Sequence, residues 1–562
     1  MPDHWYQISS YADFAVEAAK GDFVKLNELI SDLDNLPEPF IDKFLEYLKS
    51  IEIKDSSEEK RTPLWTALVN FTIKHKKYSD ADWALRPELV EKIEQVAKNL
   101  TPQKPKNLYR RLFNEDAMEL YEEKGDWQEQ EKKLERCRQD AIKKIIADGG
   151  LKAVLQFTKT VDYPQEVGGS LGVVAEDDAD SVILPDLLET EDEKVSLLAR
   201  GFIWARRRTK GWEWVGQIDN SGWSNVQIGK FLSCLPFTKD TWQYSEKLLI
   251  EFEVEYWSRV SVNPYQAKDN LNLAIDKLIE YNRPNAAIRC LRRILHDKKP
   301  LDKTKAIKAL FEAVSSTEPV HQMNIHDTIE IIKALQDDPE TNQNDLSNIE
   351  WAYLPLLTGP RGPRRKVSPK LLEQKLASDP DFFCETIRFI YRSKDEAESD
   401  KEPSEQQKII AKNALILLND WRILPGTNLD GSFSVENFNN WLNSAKTKSE
   451  KSGHLEVALI TIGKVLIYYI PDPDGLWIHR ALAEALNAED AEDMREGFHI
   501  GIFNSRGAHY IDPTGKPEKE LSTKYRQQAE EVENAGYYRF AITLKNLADS
   551  YEHEAERIIE EH

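Results

Sequence analysis

A recurring turn followed by a small-apolar pair most constrains what this chain can fold into. In residues 271–295, LNLAIDKLIEYNRPNAAIRCLRRIL, two short segments flank a tight turn, and apolar residues recur three and four apart on each. Small Ala286 and Ala287 allow the second segment to approach the first closely. Gly453 is followed five and six residues later by Ala458-Leu459, and Gly536 by Ala541-Ile542. Asn282 takes the glycine's place before Ala287-Ile288, and Gly21 with Leu26 is a weaker instance.

The spacing between these copies is irregular, which predicts an all-α chain built as an irregular array of helical hairpins, a degenerate TPR/HEAT-like superhelix without a fixed period. The intervening segments fit core-facing helices, among them KAIKALFEAVSS, HDTIEIIKALQ and IIAKNALILLNDW. The β-branched and aromatic runs of residues 195–260 do not alternate strictly and exceed the usual strand length, so they too read as helices. The stretch VGGSLGVVAEDDADSVILPD, within residues 162–186, is glycine-rich and then acidic, which marks the least helical piece and an internal boundary. Four regions follow: 1–165, N-terminal and helical; 166–262, Trp-rich and helical; 263–453, helical repeats; and 454–562, a helical unit with a loop insertion. The polar run SKDEAESDKEPSE reads as a surface loop.

Composition narrows the function. Against 97 acidic residues stand 75 basic ones, a net charge of −22, which opposes general nucleic-acid affinity while leaving room for a local basic loop. The 4 cysteines lie far apart, as buried thiols of a reducing compartment would, and suggest neither a disulfide framework nor a thiolate metal cluster. The N-terminus MPDHWYQISSYADF has no signal-peptide pattern, and no uninterrupted apolar run is long enough to span a bilayer. The expectation is a cytoplasmic protein without membrane association.

Four clusters carry candidate chemistry. Pro185-Asp186 followed by Asp192 and Lys194 satisfies the letter of a PD-(D/E)xK nuclease signature, in which Asp186 and Asp192 would hold a metal and Lys194 would steady the attacking water. An acidic helix start explains the same residues. Residues 467–551 gather His479, His499, His509, Asp472, Asp474 and Asp512, although none forms a compact ligand pair, and no metal site is assigned. Within that stretch the insertion at residues 498–518 offers Arg506 and His509 as binding residues, or Arg506 as a clamp on a nearby carboxylate. The basic residues are Arg206, Arg207, Arg208 and Lys210 beside Trp204, Trp212 and Trp214, and Arg361, Arg364, Arg365 and Lys366 in a Pro-Gly-rich loop that could meet an anionic partner. Val167-Gly168-Gly169-Ser170-Leu171-Gly172 lacks both the P-loop ending and the dinucleotide spacing, so no phosphate loop and no cofactor are expected.

Several phrases resemble the C-terminal helical regions of large bacterial NTPase proteins of the STAND or NACHT type. They are Asp82-Trp83-Ala84-Leu85, Gly211-Trp212-Glu213-Trp214-Val215, Glu255-Tyr256-Trp257, the run EWAYLPLL from Glu350, and NSRGAHYIDPTGKPEKEL with the YRQQAEEVE helix. That resemblance implies a sensor or scaffold region working in signalling or antiphage defence, beside nucleotide-binding and effector domains. The sequence therefore leads to a non-enzymatic recognition protein that binds a protein partner. The alternatives are a metal-dependent hydrolase or nuclease, and an anion- or nucleic-acid-binding subunit.

Overall fold

The computed structural model describes residues 13–114, 127–318, 322–358, 367–394, 402–507 and 511–561. Among the described residues the regular structure is helical, with one isolated antiparallel bridge between Thr427 and Phe433. The chain is all-α, as the periodicity predicts. It divides into two compact units, Met1–Asn270 and Leu271–His562.

Helices of eight or more residues are numbered in chain order. The first unit holds α1 (Phe23–Ser31), α2 (Glu38–Leu48), α3 (Glu58–Lys77), α4 (Pro87–Asn99), α5 (Trp127–Thr158), α6 (Pro164–Val174), α7 (Glu193–Gln217), α8 (Asn225–Ser233) and α9 (Lys239–Leu249). The second holds α10 (Leu271–Glu280), α11 (Pro284–His296), α12 (Lys303–Ser315), α13 (Gln322–Asp337), α14 (Gln343–Ala352), α15 (Lys370–Ser378), α16 (Pro380–Ile390), α17 (Glu405–Asp420), α18 (Val435–Lys451), α19 (Leu455–Leu466), α20 (Arg480–Asn487), α21 (Glu492–Asn504), α22 (Lys516–Asn534) and α23 (Tyr538–Glu561).

The hairpin turns lie where the sequence pattern puts them. Gly21, Asn282, Gly453 and Gly536 have φ of 75°, 55°, 70° and 94°. This left-handed conformation ends a helix by turning the next N–H back onto it, and a side chain with a Cβ adopts it only at a cost. Accordingly Arg283, His454 and Tyr537 donate their N–H groups to the carbonyls of Leu278, Ser449 and Val532 at 2.7, 2.8 and 2.9 Å. The small residues Ala287, Ala458 and Ala541 are then buried against the preceding helix. The pair's second member is less constrained: Leu459 is buried, whereas Ile542 is exposed. A further turn of the same kind closes α11, where Lys298 has φ 56° and Lys299 bonds back to Ile294. With no glycine or asparagine to mark it, that turn is silent in the sequence.

The glycine-rich stretch corrects the expectation of a non-helical boundary. Residues Pro164–Val174 form α6, and the expected division at 165/166 falls inside it. Its glycines permit close contact within a helix, where the sequence reading was the least helical piece. A Cβ on Gly168 would sit 1.9 Å from the Leu198 carbonyl oxygen, and one on Gly201 would sit 2.0 Å from that of Gln165, so α6 and α7 cross backbone to backbone. The second unit repeats the device, with Gly463 of α19 on the Met494 carbonyl and Gly497 of α21 on that of Ile460, each at 2.0 Å.

Burial supplies the rest of the stability. In the first unit Ile30, Phe44, Leu64, Leu68 and Ile93 belong to a core formed by α1 to α4. In the second, Phe383, Trp421, Trp441, Phe498, Phe540 and Tyr551 anchor a core running from Leu354 to α23.

Candidate functional site

Asp192 and Lys194, two of the nuclease-like residues, are engaged at the start of α7. Asp192 caps α7, accepting the N–H groups of Lys194 and Val195 at 3.2 and 3.4 Å, and pairs with Lys159 at 2.9 Å. The hydrogen bond from Lys159, with the two backbone bonds, holds its carboxyl below the usual range. Lys194 Nζ donates to the carbonyls of Val161 and Lys159 at 2.7 and 3.3 Å. Asp186 lies in the short 3₁₀ turn Asp186–Leu188. The strands that would bring Asp186 to Asp192 and Lys194 are not there: the connecting residues are this turn and the start of α7.

Arg506 serves as the clamp. Its guanidinium donates to Glu518 Oε1 at 2.6 Å, stands 3.7 Å from Glu554 and lies over the Tyr551 ring. Glu518 is only 1% exposed, so the pair ties the end of α21 to α22 in the interior. His509, Arg361, Arg364, Arg365 and Lys366 lie outside the described residues. Asp512 accepts from the backbone and hydroxyl of Thr514, and Asp472 from the N–H groups of Asp474 and Arg480, so both acids organise turns. His479 Nδ1 accepts the Ala481 N–H, and His499 is half-buried, its pKa lowered by desolvation. Among the described residues no group of three His, Cys, Asp or Glu converges as a metal site would require.

The first basic cluster neutralises acids of its own unit. Arg206 is 1% exposed and donates to Asp180, to the Gly172 carbonyl and to the Glu176 carbonyl, while Trp214 Nε1 donates to the other Asp180 oxygen at 2.7 Å. Arg207 lies over Trp212 and Arg208 over Trp204. Arg208 also pairs with Glu135, and Lys210 with Asp177. Trp212 and Trp204 thus each carry a cation over one ring face, while Trp204 stays 46% exposed.

A different site emerges in the second unit, where a hairpin-like loop follows α17. Its sequence, PGTNLDGSFS, turns through Gly426 and Gly431, whose φ angles are 83° and 82°. Asn428 donates its N–H to the Ser432 carbonyl at 2.8 Å, and Ser434 to that of Gly426 at 3.0 Å. Gly426 donates to the Ala377 carbonyl, the Gln374 amide donates to the Thr427 carbonyl, and the Asn437 amide donates to Asn428 Oδ1. The loop is thereby fixed to α15 and α18.

Between this loop and the starts of α14, α16 and α18 runs a groove of about 840 Å³. Its lining is almost uncharged. Asn344, Asn440, Gln343, Ser347 and Ser444 present amides and hydroxyls, and Leu429 on its edge is 81% exposed. Of the two charged lining residues, Asp379 caps α16, and Lys375, which is exposed, lies over the Phe382 ring. Trp441 lines the groove, packed against Phe383 and Trp421 at 5.1 and 6.0 Å between ring centres. Its indole N–H is buried and has no hydrogen-bond partner in the chain. Each lining amide offers both a donor and an acceptor, as a peptide unit does. Sequence reading missed this site. The Asn-Leu-Asp-Gly-Ser run carries the residue types of a turn, but only folding brings residues from 343 to 444 into one depression.

No protein-family model and no curated protein matches the chain. A solved structure described as a "circular tandem repeat protein with novel repeat topology and enhanced subunit contact surfaces" aligns with 99% of this chain and 96% of its own, at 10% identity. The TM-score of 0.13 leaves that likeness without weight, and the fold rests on the chain's own coordinates.

Proposed function

We propose that the chain is a non-enzymatic recognition or scaffold protein, and that the groove beside Trp441 receives an extended, largely uncharged segment of a protein partner. The groove's chemistry carries this reading. In a chain with 31% charged residues, the lining is amide and hydroxyl, matched to the alternating donors and acceptors of a peptide backbone. Exposed Leu429 adds an apolar contact at the rim. A volume of about 840 Å³ suits a few residues of extended chain. The resemblance to STAND- and NACHT-type helical regions would place that partner in bacterial signalling or antiphage defence.

The test is selection of a displayed random-peptide library on the full chain, followed by affinity measurement with Asn440→Arg and Ser444→Arg variants that keep the native thermal midpoint. Enriched peptides should bind the native protein, and each substitution should weaken them about tenfold or more, the effect of losing one or two good polar contacts. No enrichment, or peptides indifferent to both substitutions, overturns the assignment.

A further inference from the structure

The first unit holds a second cavity, of about 830 Å³, whose character is opposite to that of the chain as a whole. Against a net charge of −22, Lys74, Lys77, Arg110 and Arg111 all line it, and no carboxylate does. The walls come from α1, α3 and the 3₁₀ turn Arg110–Phe113, so residues about eighty positions apart in sequence share one space. Lys74 also stands 3.8 Å from Asp34 and lies over Trp83, while Arg111 lies over Trp65 and Lys77 over Tyr78. These contacts position the cations on aromatic surfaces and leave Arg110 exposed at the mouth.

A second observation points to a ligand. Asn27 on α1, Asn70 on α3 and Asn114 beyond the 3₁₀ turn line the same cavity, and the buried Oδ1 of each has no hydrogen-bond partner. The three amides come from three different elements around the one cavity. A rotated amide would present its N–H₂ instead, so each can donate to an anionic oxygen or accept from a polar N–H or O–H. Ile30, Ala67 and Phe71 supply an apolar wall between these groups. Several cations together with donors and acceptors on an apolar wall fit phosphate oxygens attached to a polar ring or sugar.

We propose that this cavity binds a phosphate-bearing small molecule of nucleotide size, held by Lys74, Lys77, Arg110 and Arg111 at its phosphates and by Asn27, Asn70 and Asn114 at its polar body. The site lies within the first unit and is independent of the groove in the second.

Calorimetric titration of the full chain with ATP, inorganic triphosphate and adenosine, without added metal, tests the assignment. ATP or triphosphate should bind at one site, more weakly as salt rises, and adenosine alone should bind at least tenfold more weakly. ATP tighter than triphosphate identifies the body as part of the recognition; equal affinities identify the phosphates as the recognised group. Arg110→Glu combined with Lys74→Glu should cut affinity about tenfold or more, as should Asn70→Asp, in variants whose circular dichroism and thermal midpoint match the native chain. Absence of saturable binding by either phosphate compound overturns the proposal. So does binding that these substitutions leave unchanged, or an oligonucleotide that binds more tightly than ATP.

Discussion

Gly463 lies against Met494 so closely that a Cβ on the glycine would fall 2.0 Å from the methionine's carbonyl oxygen. The corresponding pair in the first unit, Gly168 and Leu198, has the same geometry at 1.9 Å. In both units a second glycine returns the contact, Gly497 on Ile460 and Gly201 on Gln165, and each of these is followed by a fully buried phenylalanine, Phe498 or Phe202. Two helix pairs thus meet by the same reciprocal backbone crossing.

Alanine at Gly463, Gly497 or Gly201 should force those helices apart, because the obstacle in each case is a backbone carbonyl that cannot rotate away. Urea unfolding should show a loss of about 1–3 kcal/mol for each, the range of overpacked interiors. Gly169→Ala is the control: nothing lies within 4 Å of its Cβ position. A helical alanine there should be neutral or stabilising by about 0.5–1 kcal/mol.

The left-handed turns give a second contrast. Gly453→Ala and Gly536→Ala place a Cβ at φ of 70° and 94° and should each cost about 1–2 kcal/mol. Asn282→Gly should leave stability unchanged or raise it, whereas Asn282→Val should lower it by a similar amount to the glycine changes. Thermal unfolding of the four variants decides this, and equal behaviour of the valine and glycine variants would contradict the turn geometry.

Removal of Arg506 should be worse than removal of both members of its pair. Arg506→Met removes the cation that faces a Glu518 that is 1% exposed, and a loss of about 3 kcal/mol is expected. Adding Glu518→Met should recover part of that loss, since the most deeply buried carboxylate facing Arg506 is then gone. A double-mutant cycle in urea measures the difference.

Stability of the first unit should fall as pH drops below neutrality because of His75. This ring is 1% exposed, and desolvation lowers its pKa below 6.5, outweighing Asp34 at 3.7 Å, while Lys74 lowers it further. Its Nδ1 accepts the Leu85 N–H at 3.0 Å, a bond that requires the neutral ring. The unfolded chain therefore binds the proton more readily, so the stabilisation is full above the unfolded pKa near 6.5 and is lost as pH falls from there through the lower folded value. Comparing urea midpoints at pH 7.5 and 5.5, the native chain should lose more than His75→Asn, in which an amide oxygen accepts the same N–H.

The sequence by itself determined the helical class and the places of the hairpin turns, because both are local. Three-and-four spacing sets a helix face, and a glycine or asparagine in the left-handed region sets where the helix stops. It could not mark the turn at Lys298, whose residue type carries no such signature, and it misread Gly168 and Gly172, because a glycine at a helix crossing looks the same in sequence as a glycine in a loop. Tertiary structure alone decided the fates of the charged candidates: Lys194 on the carbonyls of Val161 and Lys159, Arg206 on Asp180, and Arg506 on Glu518. It also assembled the groove at Trp441 and the basic cavity at Asn70 from residues distant in the chain. A hydrogen-bond partner or a cavity wall is a property of proximity in space, which a local sequence pattern does not carry.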